Sequence, residues 1–118
     1  MRPRHALVIE DEILIALEIE DLLKKQGFAT VDIAESPTEA LDRALRRKPD
    51  LITADYRIVD GTGTEAVSMI MAHLGPIPVV YVTGHTKALA GHDQDVVVQK
   101  PILPRALAGA WQHALHAA

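Results

Sequence analysis

Five short apolar runs divide this chain, and the stretches between them change to a helical period. Ala6-Leu7-Val8-Ile9, the partly alternating residues 28–34, Leu51-Ile52-Thr53-Ala54, residues 78–83 and Val96-Val97-Val98 have the length and β-branched content of strands. The first reads as a continuous apolar run, the mark of a strand covered on both faces. From Ile13 to Gln26, Glu18, Asp21 and Lys25 form a polar stripe opposite Ile15, Ile19, Leu22 and Leu23, and Gly27 stands where a helix C-terminal glycine belongs. Ser36-Pro37-Thr38-Glu39 predicts a second helix start: a capping serine, proline at the first helical position and a glutamate placed for a capping box. Ala40, Leu41, Ala44 and Leu45 are expected to face inward, and Arg43, Arg46, Arg47 and Lys48 outward as a solvated face, before Pro49 ends the helix. Gly61 and Gly63 read as loop breakers. Val67, Ile70, Met71 and Leu74 then mark a third helix that stops at Gly75-Pro76. Pro104 to His116 is a last helix, with Leu103, Leu107, Ala110, Trp111 and Ala114 as its inner face. No amphipathic stripe develops over residues 84–95, so a helix there should be short or irregular. Strands alternating with helices predict right-handed crossovers and an α/β fold: a five-stranded parallel sheet, doubly wound, with helices on both faces.

At 118 residues the chain is long enough for one domain with a real core, so residues 1–118 are expected to form a single domain. The net charge of −4 offers no field for capturing nucleic acid, and the lack of cysteine excludes disulfides, thiolate metal sites and a catalytic thiol. No apolar run approaches the ~20 residues of a membrane helix. The basic start Met1 to His5 runs at once into Glu10-Asp11-Glu12, unlike a signal peptide, which makes cytoplasmic the expectation.

In a parallel sheet, residues at the carboxyl ends of strands converge along one edge. That edge would carry Glu10 and Asp11 from the first strand, Asp55 from the third, Thr83 from the fourth and Lys100 from the fifth. Carboxylates gathered there repel one another unless a cation joins them, and oxygen-only ligands suit Mg²⁺. A lysine supplies a point charge for a phosphate oxygen and a threonine hydroxyl supplies a hydrogen bond. Such a set suits phosphoryl transfer onto a carboxylate.

The ordered set Glu10-Asp11, Asp55, Thr83 and Lys100-Pro101 resembles the receiver domain of two-component response regulators over the whole chain. The resemblance implies a flavodoxin-like sheet in the order 2-1-3-4-5. It implies Asp55 as phosphoacceptor, with Mg²⁺ on Asp11, Asp55 and the Arg57 backbone carbonyl, and Glu10 acting through water. Thr83 and Lys100 would hold phosphoryl oxygens, and the Lys100-Pro101 bond would be cis. A sensor histidine kinase or phosphotransfer protein would be the donor. The downstream partner is a protein left unnamed, homodimerisation is open, and neither nucleic acid nor membrane is a direct partner. The chain would be a switch that catalyses only its own phosphorylation and dephosphorylation.

Three departures bear on output. The position three before the lysine is Val97, where most receivers carry an aromatic whose swing reports phosphorylation. Residues 84–95 are poor material for the usual fourth helix. Tyr81-Val82-Thr83-Gly84 is similar to the Phe-Ala-Thr-Gly motif of a subgroup of stand-alone receivers. The expected signal is therefore a rearrangement after Thr83, which amide exchange with a beryllofluoride mimic would register. Arg57 and His85, two residues beyond Asp55 and Thr83, would flank the phosphoryl group. The competing reading is a Mg²⁺-dependent phosphatase with an aspartyl nucleophile, but haloacid-dehalogenase-like enzymes put Asp-x-Asp after the first strand, where this chain has Glu10-Asp11-Glu12. A dinucleotide module lacks its glycine-rich loop. The histidines, His113 and His116 included, lack the organised second pair that structural zinc needs.

Overall fold

A computed structural model describes residues 3–84, 97–100, 102 and 104–117. The strands are β1 (Arg4–Ile9), β2 (Phe28–Ala34), β3 (Leu51–Ala54), β4 (Arg57–Ile58), β5 (Gly61–Thr62), β6 (Val79–Thr83) and β7 (Val97–Gln99). The helices are α1 (Ile13–Lys25), α2 (Pro37–Arg46), α3 (Gly63–Leu74) and α4 (Pro104–Ala117). The main sheet runs β2-β1-β3-β6-β7 and every pair in it is parallel. Leaving aside the two-stranded β4-β5 hairpin, this is the order 2-1-3-4-5. The expected α1–β2 connection through Gly27 forms, with that glycine at φ 104° just past the helix end.

Alternation along β1 divides the core. Ala6 and Val8 face a layer with Ala16, Ile19 and Leu23 of α1 and Leu107, Ala110 and Trp111 of α4. Leu7 and Ile9 face the other layer, with Ala40 and Ala44 of α2 and Ala66, Val67 and Ile70 of α3. Strands buried on both faces explain the continuous apolar runs.

The caps follow the sequence closely. Ser36 Oγ accepts from the Glu39 N–H at 3.2 Å, while Glu39 Oε1 accepts from the N–H of Glu35, one residue before the position a capping box would use. Both acid-first pairs on α1 form, Glu20–Lys24 at 3.3 Å and Asp21–Lys25 at 2.9 Å.

Several expectations are corrected. Leu45 is exposed, because the α2 stripe facing the sheet is carried by alanines and Leu45 lies beyond its edge. Arg43, expected outside, is half-buried. Gly61 and Gly63 do not merely break a loop. Gly61 pairs in β5 across a turn in which Asp60 takes φ 61°, and Gly63 is the first residue of α3 behind a Thr62 cap that accepts from the Glu65 N–H. Residues 85–96 with His85 and His92, and also Pro101 and Leu103, lie outside the described residues, so the fourth helix, the cis bond and Leu103 as a core residue do as well.

Candidate functional site

The sheet order reverses between β1 and β3: the chain first adds β2 on one side of β1, then returns to add β3 on the other. Ligands of open α/β sheets gather at the carboxyl ends of the strands at such a switch point. Ile9 pairs with Ala54, so Glu10 and Asp55 leave the two strands side by side. Both remain tied to the ladder. The Glu10 N–H donates to the Ala34 carbonyl at 2.9 Å and the Asp55 N–H to the Ile9 carbonyl at 3.0 Å. These carboxylates therefore stand on rigid strand backbone.

Glu10 is 1% exposed and Asp55 6%. Asp55 Oδ1 accepts from the Tyr56 N–H at 2.7 Å, and Glu10 Oε2 accepts from the Glu12 N–H at 3.2 Å at the start of α1. Lys100 Nζ reaches in from the end of β7 and lies 2.9 Å from both Glu10 Oε1 and Asp55 Oδ2, with Glu12 Oε1 at 3.8 Å. Burial pushes the Glu10 carboxyl up to about 7, and the charge of Asp55 adds to that while Lys100 and the Glu12 N–H oppose it. Burial alone would lower Lys100, but the two carboxylates outweigh it and hold its pKa above the ordinary value.

Glu10, Asp11, Glu12 and Asp55 each offer a carboxylate oxygen, all within 4.8 Å of one another. Asp11 and Glu12 are exposed and so remain open to an arriving ion. An all-oxygen set with one buried carboxyl already strained toward protonation fits a hard divalent cation. Glu12 is the member the sequence did not single out; its place three residues past the end of β1 was the available signal.

The other expected residues fall as follows. Thr83 closes β6 and pairs with Gln99, so it and Lys100 end adjacent strands. Arg57 is exposed, in β4, two residues past Asp55. Val97 is half-buried and pairs directly with Tyr81, which is buried in the α2–α3 layer. An aromatic thus stands one strand away from the position where receivers normally keep theirs. Gly63 packs so closely that a β-carbon would collide with the Asp55 carbonyl oxygen, and its N–H donates to the Tyr56 carbonyl at 2.7 Å. A helix start and the turn after Asp55 are therefore locked together.

Residues 6–112 match the response regulator receiver domain family. The chain is 34% identical over 103 residues to the phyllosphere-induced regulator PhyR of Methylorubrum extorquens, covering 83% of this chain and 38% of that protein. It is 38% identical over 83 residues to a protein-glutamate methylesterase/protein-glutamine glutaminase of Archaeoglobus fulgidus, covering 70% of this chain and 24% of that protein. It therefore spans well under half the length of these curated relatives. The solution structure of the Erythrobacter litoralis PhyR response regulator REC domain superposes with a TM-score of 0.87 at 29% identity, covering 97% of this chain and 91% of that one. With the acidic switch point and its lysine, these matches establish that the chain belongs to the response regulator receiver domain family, the phosphoacceptor modules of two-component signalling.

Proposed function

We propose that Asp55 is the phosphoacceptor and that Lys100, Thr83 and a Mg²⁺ ion, held by Asp11, Asp55 and the Arg57 carbonyl with Glu10 acting through water, assist the transfer. One observation carries this reading: Asp55, nearly buried at the switch point, shares Lys100 with Glu10 at 2.9 Å on each side. The donor is a phosphohistidine of a sensor kinase or phosphotransfer protein. An Asp55 carboxylate oxygen attacks phosphorus, the phosphorus–nitrogen bond breaks, and the electron pair leaves with the imidazole nitrogen. Lys100 then exchanges its Asp55 contact for a phosphoryl oxygen, and the Thr83 hydroxyl donates to another. A Mg²⁺ ion held by the acids would supply charge neutralisation for the transferring oxygens. The rigid strand backbone under Asp55 holds its carboxylate ready for in-line attack.

The chain turns over no external substrate in this reading. Its product is its own phosphorylated state, which a downstream protein reads. Acetyl phosphate should label the protein once per chain in the presence of Mg²⁺, and Asp55→Asn or chelation of the metal should abolish labelling. Retention of the label in Asp55→Asn would sink the assignment, and turnover of a generic phosphate ester would favour a phosphatase instead.

A further inference from the structure

The edge of the sheet opposite the acids holds a groove of about 660 Å³. It lies at the starts of β1, β3 and β6, with the end of α4 as a further side. Arg4, Lys48 and Asp50 supply its charged groups, and Pro49, Pro78 and Leu115 are among its apolar walls. Small-molecule sites occupy ~300–1,000 Å³ and combine apolar walls with a few placed polar groups. This groove has both properties.

Two of the charged groups are held in position by contacts of their own. The Arg4 guanidinium carbon sits 5.3 Å from the centroid of the Trp111 ring, and Trp111 is buried edge-on against Phe28. Asp50 and His5 form a reciprocal pair: the Asp50 N–H donates to the His5 carbonyl at 2.7 Å, and the His5 N–H donates to Asp50 Oδ2 at 2.8 Å. His5 is buried, and its ring is anchored by Thr30 Oγ1 at 2.8 Å and Asp32 Oδ2 at 3.2 Å.

The rim is locally cationic in a chain of net charge −4. Arg4 and Lys48, both exposed, outweigh the single Asp50 among its lining charges. One acid group meeting Arg4 and Lys48 would be matched in charge. The fixed Asp50 disfavours a bare polyanion on the same wall. Prolines carry no N–H, so an apolar body laid against them leaves no backbone donor unsatisfied. We propose that this groove binds a small amphipathic carboxylate: one acid group on an aliphatic or aromatic body. It is separate from the phosphoacceptor site, since Asp50 and Asp55 stand five residues apart along a strand, roughly 16 Å.

Phenylbutyrate is a suitable probe, with phenylbutanol as its uncharged counterpart and inorganic phosphate as the charge alone. In amide correlation spectra of the full chain, phenylbutyrate at low-millimolar concentration should give saturable shifts at Arg4, Asp50 and Leu115. Phenylbutanol should bind at least ~10-fold more weakly, about 1.4 kcal/mol, and phosphate should not shift these amides. Lys48→Gln and Arg4→Gln alter exposed side chains and should each weaken phenylbutyrate by about the same factor. Binding should persist in Asp55→Asn, which separates this site from the phosphoacceptor reading. Absence of saturable shifts, equal binding of the alcohol, equal binding of phosphate, or unchanged affinity in both variants would each overturn the proposal.

Discussion

Glu10 is the residue whose chemistry its surroundings alter most. Its carboxyl is raised from 4.5 to about 7, by burial first. A raised folded-state pKa means the folded protein binds that proton more tightly than the unfolded chain does. The associated stability is complete below pH 4.5 and is lost as pH rises through about 7. Thermal melts of the metal-free protein should show that decline, and Glu10→Gln should flatten it; an identical slope in the variant would remove Glu10 as its origin. Gly63 makes a different kind of demand. Alanine there must displace the Asp55 carbonyl or the start of α3, so Gly63→Ala should cost ~1–3 kcal/mol in urea unfolding, as overpacking does. Arg57 is exposed two residues past Asp55, and in the proposed function a long cation there would screen an acyl phosphate from water. Arg57→Ala should hasten loss of phosphate severalfold, read as the decay of labelled protein; an unchanged rate would count against screening.

At the scale of elements, α1 presents an unusual face. Ile13, Leu14 and Leu17 are 55%, 79% and 47% exposed, directly after the acids Asp11 and Glu12. In the proposed function, a donor protein bringing phosphohistidine to Asp55 would cover ground beside that site, and these residues offer apolar ground there. Leu14→Asp should slow transfer from a kinase several-fold while labelling by acetyl phosphate stays unchanged; equal loss in both assays would place the defect in the chemistry. The elements also show why some positions were legible and others were not. Ser36 and Gly27 act through local backbone geometry, so their roles could be read from a few neighbouring residues. Leu45 could not, because helical period alone does not say how wide a stripe the sheet covers, and here alanines suffice. The β4-β5 hairpin escaped notice because two-residue strands carry no periodicity, and its turn rests on Asp60 at positive φ. Pairing of Tyr81 with Val97 depends on register between strands far apart in sequence.

For the molecule as a whole, the fold class was legible because apolar runs and helical stripes alternate over most of the chain, residues 84–95 apart, and a parallel sheet then forces the strand ends together. Which end residues touch was not legible. Lys100 reaching past Asp55 to Glu10 depends on β7 lying two strands from β3, and no local pattern records that distance. Among the described residues, no helix is long and apolar enough to cross a membrane. The double contact of Lys100 has a further consequence. It fastens an outer strand to the two central ones through a single ammonium group, so the edge of the sheet is moored to the proposed phosphoacceptor. Under the proposed phosphorylation of Asp55, that ammonium would trade its Asp55 contact for a phosphoryl oxygen, and the mooring of β7 would shift with it. A change at the middle of the sheet would thereby become a displacement at its rim, where another protein could feel it.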